Sequence, residues 1–428
     1  MNVHEPLWKS ALAGSQMLFV AFGALVLMPL LTGMDPSVAL FTAGLGTLLF
    51  HFVTKNKVPI FLASSFAFIA PVLYSVQTWG MSDTLGALLS AGIVYMLLGV
   101  LVKVKGVGFL HHLMPPVVTG PVIMVIGLGL APVAVNMAMG KTGDGSMVIF
   151  PYMDAMIVSM SALLTTLLVA TLAKGIFRLI PILFGVIVGY VIAYFMGMVN
   201  FDAVTIAPLF AVPEFVSPTL NWAAILFMIP VSIAPAIEHV GDVLAISNVT
   251  GKDYVKNPGL HRTLFGDGLA TSAAALLGGP PNTTYSEVTG AVMLTKTFNP
   301  IVMIWAACIA MTMALVAKFG AALQTIPAPV MGGILILLFG SIAAVGLNTL
   351  IKARVDLAEQ RNLVIVATVL IFGIGGMAIG GNDFNLQGIS LCGVVAILLN
   401  LILPKEQPEC DDLHEEQAVI DDLIEHTR

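Results

Sequence analysis

The sequence predicts an all-α polytopic membrane protein whose 14 transmembrane segments form two inverted seven-helix repeats. Three observations carry that reading. Of 428 residues, 58% are apolar and only 10% charged, and the mean hydropathy of +0.98 lies far above that of soluble domains. Apolar runs of about 17–25 residues recur from end to end, each long enough at about 1.5 Å per residue to cross a hydrocarbon core of about 30 Å. Short internal matches also recur in the same order in both halves.

Hydropathy and Gly/Pro punctuation place the spans at 9–31, 37–54, 58–78, 84–102, 115–138, 153–173, 179–199, 222–247, 263–279, 283–297, 300–317, 326–346, 362–380 and 387–403. The third and tenth depart from a lipid-facing pattern, because IFLASSFAFIAP and GGPPNTTYSEVTG carry Ser, Thr, Pro and Gly where such a helix would carry Leu. MPPVVTGPVIMVIGLGLA (114–131) aligns with IPAPVMGGILILLFGSIA (326–343), ILFGVIVG (182–189) with ISLCGVVA (389–396), and SSFAF (64–68) with TTYSE (283–287). Seven helices per half is an odd number, so the halves take opposite orientations, the plan of transporters that build a central site from paired broken helices.

With the N-terminus inside, 16 of the 18 Lys and Arg residues fall on the cytoplasmic side, leaving Lys141 and Lys318 outside. That positive-inside bias makes both termini cytoplasmic. MNVHEPLW carries no basic cluster, and no small-residue cleavage site follows, so no removable signal peptide is expected. The net charge of −6 reflects nine acids in residues 406–428, a solvated tail. Cys308 and Cys392 in apolar runs and Cys410 in the tail have no metal-ligand spacing and read as filler. LIKARVDLAEQRN (350–362) reads as an amphipathic linker along the membrane surface. His51, His111 and His112 lie near cytoplasmic helix ends, where an imidazole reaches water.

An acid at the centre of a spanning helix costs about 2.5–3.5 kcal/mol on insertion scales and therefore faces protein or a water-filled cavity. Four such acids stand out: Glu238, Asp242, Asp267 and Glu287. Glu238 and Asp242 are four residues apart, on one helical face. Glu287 sits in TTYSEVTG, where a broken helix would leave backbone N–H groups free. Carboxylate acceptors beside backbone donors suit a small polar ring or amide. Asp267, in FGDGLA, is expected to bond its Gly-flanked backbone. His239 points about 100° away from Glu238 and reads as a packing or supporting residue.

SSFAFIAPV, EHVG, NPGLHRTLFGDGL, PNTTYSE and IPAPVMGG, in this order and spacing, resemble the nucleobase–ascorbate transporter (nucleobase:cation symporter-2) family, and within it the bacterial uracil permeases. The resemblance covers all but the tails. EVTGAVMLTK (287–296) matches the family's diagnostic motif at Glu287, Gly290, Thr295 and Lys296, with Val288 in place of the usual Asn. If that Asn normally holds the broken helix, Val288→Asn is expected to be tolerated.

The resemblance implies a core domain moving against a gate domain, with short strands in broken helices 3 and 10. The cytoplasmic N-terminus is then 1–8, the core 9–106 and 221–318, the gate 107–200 and 325–404, and the acidic cytoplasmic tail 405–428. It implies a homodimer in the lipid bilayer of the bacterial inner membrane, importing uracil with a proton as coupling ion, and neither metal, cofactor, nucleic acid nor enzyme activity. Glu238 and Glu287 fall on substrate-binding carboxylates, Phe66 on an aromatic whose backbone contacts the base, and Tyr285 and Ser286 beside the second broken span's contact. Asp242 falls on the proton-coupling position. Leu335 and Phe339 fall where a Ser and a Tyr of a gate helix approach the site.

Uracil presents two N–H donors and two carbonyl acceptors in one plane, so carboxylates accept from its nitrogens while backbone N–H groups donate to its oxygens. Two other readings compete. Asp242 is also compatible with xanthine or another oxopurine as substrate. Asp242 and Asp267, each following Gly, could instead form the pair of an intramembrane aspartyl protease, which leaves Glu287 and the repeat unexplained.

Overall fold

Where no water bonds the backbone, helices satisfy it internally, and the apolar runs fold accordingly. The computed structural model describes residues 7–381 and 385–404; the tail with Cys410 and the first six residues lie outside them. The chain begins with α1 (Leu7–Thr32) and α2 (Pro36–Val53), then strand β1 (Leu62–Ser64), a single 3-10 turn (Phe66–Phe68), α3 (Ile69–Trp79) and α4 (Met81–Lys105). There follow α5 (Val107–Leu113), α6 (Pro116–Gly129), α7 (Ala131–Ala138), α8 (Tyr152–Leu172), α9 (Pro181–Phe195) and the short α10 (Asp202–Ile206). The C-terminal half holds α11 (Trp222–Val231), α12 (Ile233–Thr250), α13 (Leu260–Leu276), strand β2 (Asn282–Thr284) and α14 (Ser286–Thr295). It continues through α15 (Ile301–Ala314), α16 (Ala317–Gln324), α17 (Ala328–Lys352), α18 (Gln360–Ile374), the hairpin of β3 (Ala378–Gly380) and β4 (Asn385–Gln387), and α19 (Gly388–Ile402).

Each expected span falls on one to three of these elements. Among the described residues, seven helices or closely joined helix pairs are long and apolar enough to cross a membrane, or eight if the bent pair α15–α16 counts as one span. The segments 66–79, 181–195, 360–374 and 388–402 are apolar but shorter. The protein is a mostly helical, multi-pass membrane protein.

Several expectations need correction. The spans at 115–138 and 222–247 hold, but each is a closely joined helix pair, meeting at Leu130 and at Ser232. The span at 300–317 is not straight, because α16 turns away from α15 by 82° and carries Lys318 on the turned piece. In 362–380 the helix stops at Ile374, and 378–380 is an exposed strand. No amphipathic helix occupies 350–362: α17 runs to Lys352 and α18 starts at Gln360. There the Arg361 guanidinium donates to the Asn400 carbonyl at 2.9 Å and to its side-chain oxygen at 2.8 Å, tying α18 to the end of α19. His51 does not reach water; it is buried, with Nε2 3.0 Å from the Ile60 carbonyl. Cys308 is exposed, whereas Cys392 fills core.

Val288 is 1% exposed in the apolar core. An Asn there would bury an amide among apolar neighbours, at about 1–3 kcal/mol unless a partner formed, so the expected tolerance of Val288→Asn is not supported.

Helix contacts fall into two groups: α2, α4, α13 and α15 with α1, and α6, α7, α8 and α9 with α17. In each group glycines let helices cross backbone to backbone. A Cβ on Gly92 of α4 would come within 2.6 Å of the Gly268 carbonyl of α13, and one on Gly346 of α17 within 2.6 Å of the Gly120 carbonyl of α6. Without a hydrophobic force between helices in lipid, such small-residue crossings supply contact area.

Candidate substrate site

β1 and β2 pair antiparallel, Leu62 opposite Thr284, Ala63 opposite Thr283 and Ser64 opposite Asn282. A two-stranded ribbon has two outer edges that need partners when water is excluded. Flanking side chains provide them. Thr47 Oγ1 of α2 accepts from the Leu62 N–H at 3.0 Å, and Thr271 Oγ1 of α13 donates to the Asn282 carbonyl at 2.5 Å. The Asn282 amide in turn donates to the Thr42 carbonyl of α2 at 2.9 Å.

From this ribbon the 3-10 turn that runs into α3, and α14, begin, so both broken spans present N-terminal turns and positive dipole ends close to where the strands meet. Phe66 and Tyr285 bring the two broken spans together, their ring centroids 6.3 Å apart.

The acids gather around β2 and the first turn of α14. Asp242 of α12 accepts from Thr284 Oγ1 at 2.7 Å with one oxygen and from Ser286 Oγ with the other. Glu238, one turn earlier on α12, lies within electrostatic reach of Asp242, Glu287 and Asp267. Ser286 and Glu287 are exposed and Glu238 half-buried. A carboxylate facing lipid would be strongly disfavoured, so this exposure marks a water-accessible crevice.

Asp267 is not bonded as expected. Its Oδ2 accepts from Thr283 Oγ1 at 3.1 Å and lies 3.4 Å from His239 Nδ1, with both acid and imidazole fully buried. Leu335 and Phe339 are buried in α17, the latter with its backbone against Gly127 of α6. The structure thus brings Glu238, Asp242, Glu287, Ser286, Tyr285 and Phe66 to one place and sets Asp267 and His239 behind it. Thr283 and Thr284 escaped the sequence reading, although two threonines after a Pro pair in an apolar chain were a signal.

A cavity of about 580 Å³ lies apart from the acids, none of which lines it. Leu30, Leu73 and Gln77 of α1 and α3 form one wall, and Leu130, Val133 and Met137 around α7 the other.

Residues 8–381 match the family model described as Permease family, Xan_ur_permease. The chain is 60% identical over 397 residues to a protein of Pasteurella multocida (strain Pm70) named "Probable uracil permease", covering 93% of this chain and 94% of that one. It is 44% identical over 409 residues to the "Uracil permease" of Bacillus caldolyticus, covering 94% and 93%. The transmembrane domain of the cyanobacterial bicarbonate transporter BicA shares the fold, with a TM-score of 0.65 at 14% identity over 93% of this chain and 98% of that one. A polytopic chain with a paired broken-helix site, matched over this length, is a transporter rather than an enzyme, and it belongs to the permease family of nucleobase:cation symporters.

Proposed function

We propose that the protein imports uracil across the bacterial cytoplasmic membrane together with a proton, the coupling ion. The carrying observation is the placement of Glu238 and Glu287 beside the N-terminal turns that leave the β1–β2 ribbon. Carboxylates there accept from the two ring N–H groups, and helix-start N–H groups donate to the two carbonyls. An analogue lacking one N–H leaves an acceptor unmet, at about 1–3 kcal/mol. The names of the relatives support uracil over an oxopurine.

Asp242 is the coupling residue. Ionised, it accepts from Thr284 and Ser286, one on each oxygen. Protonated, one oxygen becomes a donor, so the hydroxyl facing it must accept instead and aim its own O–H elsewhere. Ser286 precedes Glu287, and that change reaches the substrate carboxylate directly.

The reading includes 14 spans as two inverted repeats, a core of α1–α4 and α11–α15 moving against a gate of α6–α9 and α17–α19, cytoplasmic termini and a homodimer. The two groups of helix contacts and the cavity between α1/α3 and α7 support that division.

Uptake of labelled uracil into cells lacking their own carrier tests the reading. The native chain accumulates uracil, a protonophore abolishes accumulation, and Glu287→Ala shows none. Xanthine-sensitive uptake without uracil transport would overturn the substrate, and protonophore-resistant accumulation the coupling.

A further inference from the structure

Two buried polar residues touch neither the crevice nor lipid. Asp267 and His239 are both 0% exposed. At hydrogen-bonding geometry neither imidazole nitrogen has a partner, and neither has Asp267 Oδ1. The imidazole is edge-on to Phe50, ring centroids 6.4 Å apart, and the buried Tyr95 hydroxyl lies within electrostatic reach of Asp267. A carboxyl retained here needs a reason, because burial away from water is costly unless a partner compensates it.

The strand supplies that reason. Successive strand residues point to opposite faces. Thr284 turns towards Asp242 of α12, and Thr283 turns the other way, towards Asp267 of α13. β2 is therefore gripped by a carboxyl on each face, and α14 begins at Ser286, two residues after β2 ends. Asp267 Oδ2 also faces His239, which α12 places one residue after Glu238.

We propose that Asp267 and His239 form a positioning pair: Asp267 holds Thr283, His239 holds Asp267, and together they fix β2 so that Ser286 and Glu287 meet the substrate in register. The pair touches no substrate. This deepens the reading of Glu287 as a substrate carboxylate and rests on it for its functional consequence.

The test uses purified full-length protein with Thr283→Val, Thr283→Ser, Asp267→Ala, His239→Ala, His239→Gln and the Thr283→Val/Asp267→Ala double variant. Hydrogen exchange of amides 282–290 reads the strand directly, and calorimetry reads uracil affinity. Thr283→Val and Asp267→Ala each speed exchange and weaken uracil binding about tenfold, and the double variant adds nothing further because both remove one contact. Thr283→Ser and His239→Gln, which keep a donor, restore native exchange and affinity, whereas His239→Ala does not. Native exchange in folded Thr283→Val or Asp267→Ala overturns the proposal, as do effects that multiply in the double variant. If Asp267→Ala does not fold, the Thr283→Val and Thr283→Ser pair decides. A native chain that binds no uracil while its variants still speed exchange refutes the substrate and leaves the positioning pair standing.

Discussion

Asp242 holds two hydroxyls with two oxygens, and an amide of the same shape cannot do so. In Asp242→Asn one position accepts and the other donates, so one of Thr284 and Ser286 must change from donor to acceptor and aim its O–H elsewhere, as with the protonated acid. The variant is therefore fixed in the proton-loaded arrangement. Uracil binding stays near native, exchange of labelled for unlabelled uracil persists, and accumulation against a gradient is lost; full accumulation in transport assays would remove Asp242 from the coupling role. The four acids were legible because a carboxylate in an apolar run has few uses. The threonines were not. Most membrane-helix threonines bond the carbonyl one turn back, as Thr42, Thr54 and Thr166 do, and apart from the Pro pair before them nothing local distinguishes Thr283 or Thr284 from those.

At the scale of elements, the crossings of α4 on α13 and α6 on α17 depend on the absence of side chains. Gly92→Leu forces the helices apart where the Gly268 carbonyl now lies, a loss of about 1–3 kcal/mol or more. The unfolding midpoint of the purified variant should fall by several degrees, while Gly129→Ala, at a position with open space around it, should leave it unchanged. An unmoved midpoint in Gly92→Leu would mean that the crossing is looser than described. Hydropathy located the long apolar helices, since it responds to the length of an apolar run. It missed the breaks at Leu130 and Ser232 and the 82° turn after α15, because window averages carry no record of where packing bends a helix. His51 was misread for a related reason: its place near a helix end was visible, but the Ile60 carbonyl that occupies it was not.

For the molecule as a whole, the cavity between α1/α3 and α7 is where relative movement should be measurable. In a Cys308→Ser/Cys410→Ser background, which removes the exposed thiol and that of the tail, Val133→Cys should react with a water-soluble maleimide, and uracil should change the rate as the walls move. A rate indifferent to uracil would place the moving boundary elsewhere. The segment Lys141–Asp144 borders this cavity. The Thr142 and Ser146 hydroxyls, donating to Asp144, hold its carboxyl down at about 2. That tie is complete above the ordinary aspartate pKa of about 3.9 and is lost only as pH falls through the depressed value, so it withstands mild acidity.

The β1–β2 ribbon joins segments made at different times. At about 5–20 residues per second, β1 leaves the ribosome on the order of ten seconds or more before β2 exists. Until then the backbone groups of Leu62–Ser64 that face β2 have no mate in a medium that supplies none. The binding site is thus a late product of biosynthesis, and the newborn N-terminal half must be sheltered by the insertion machinery until its other strand arrives.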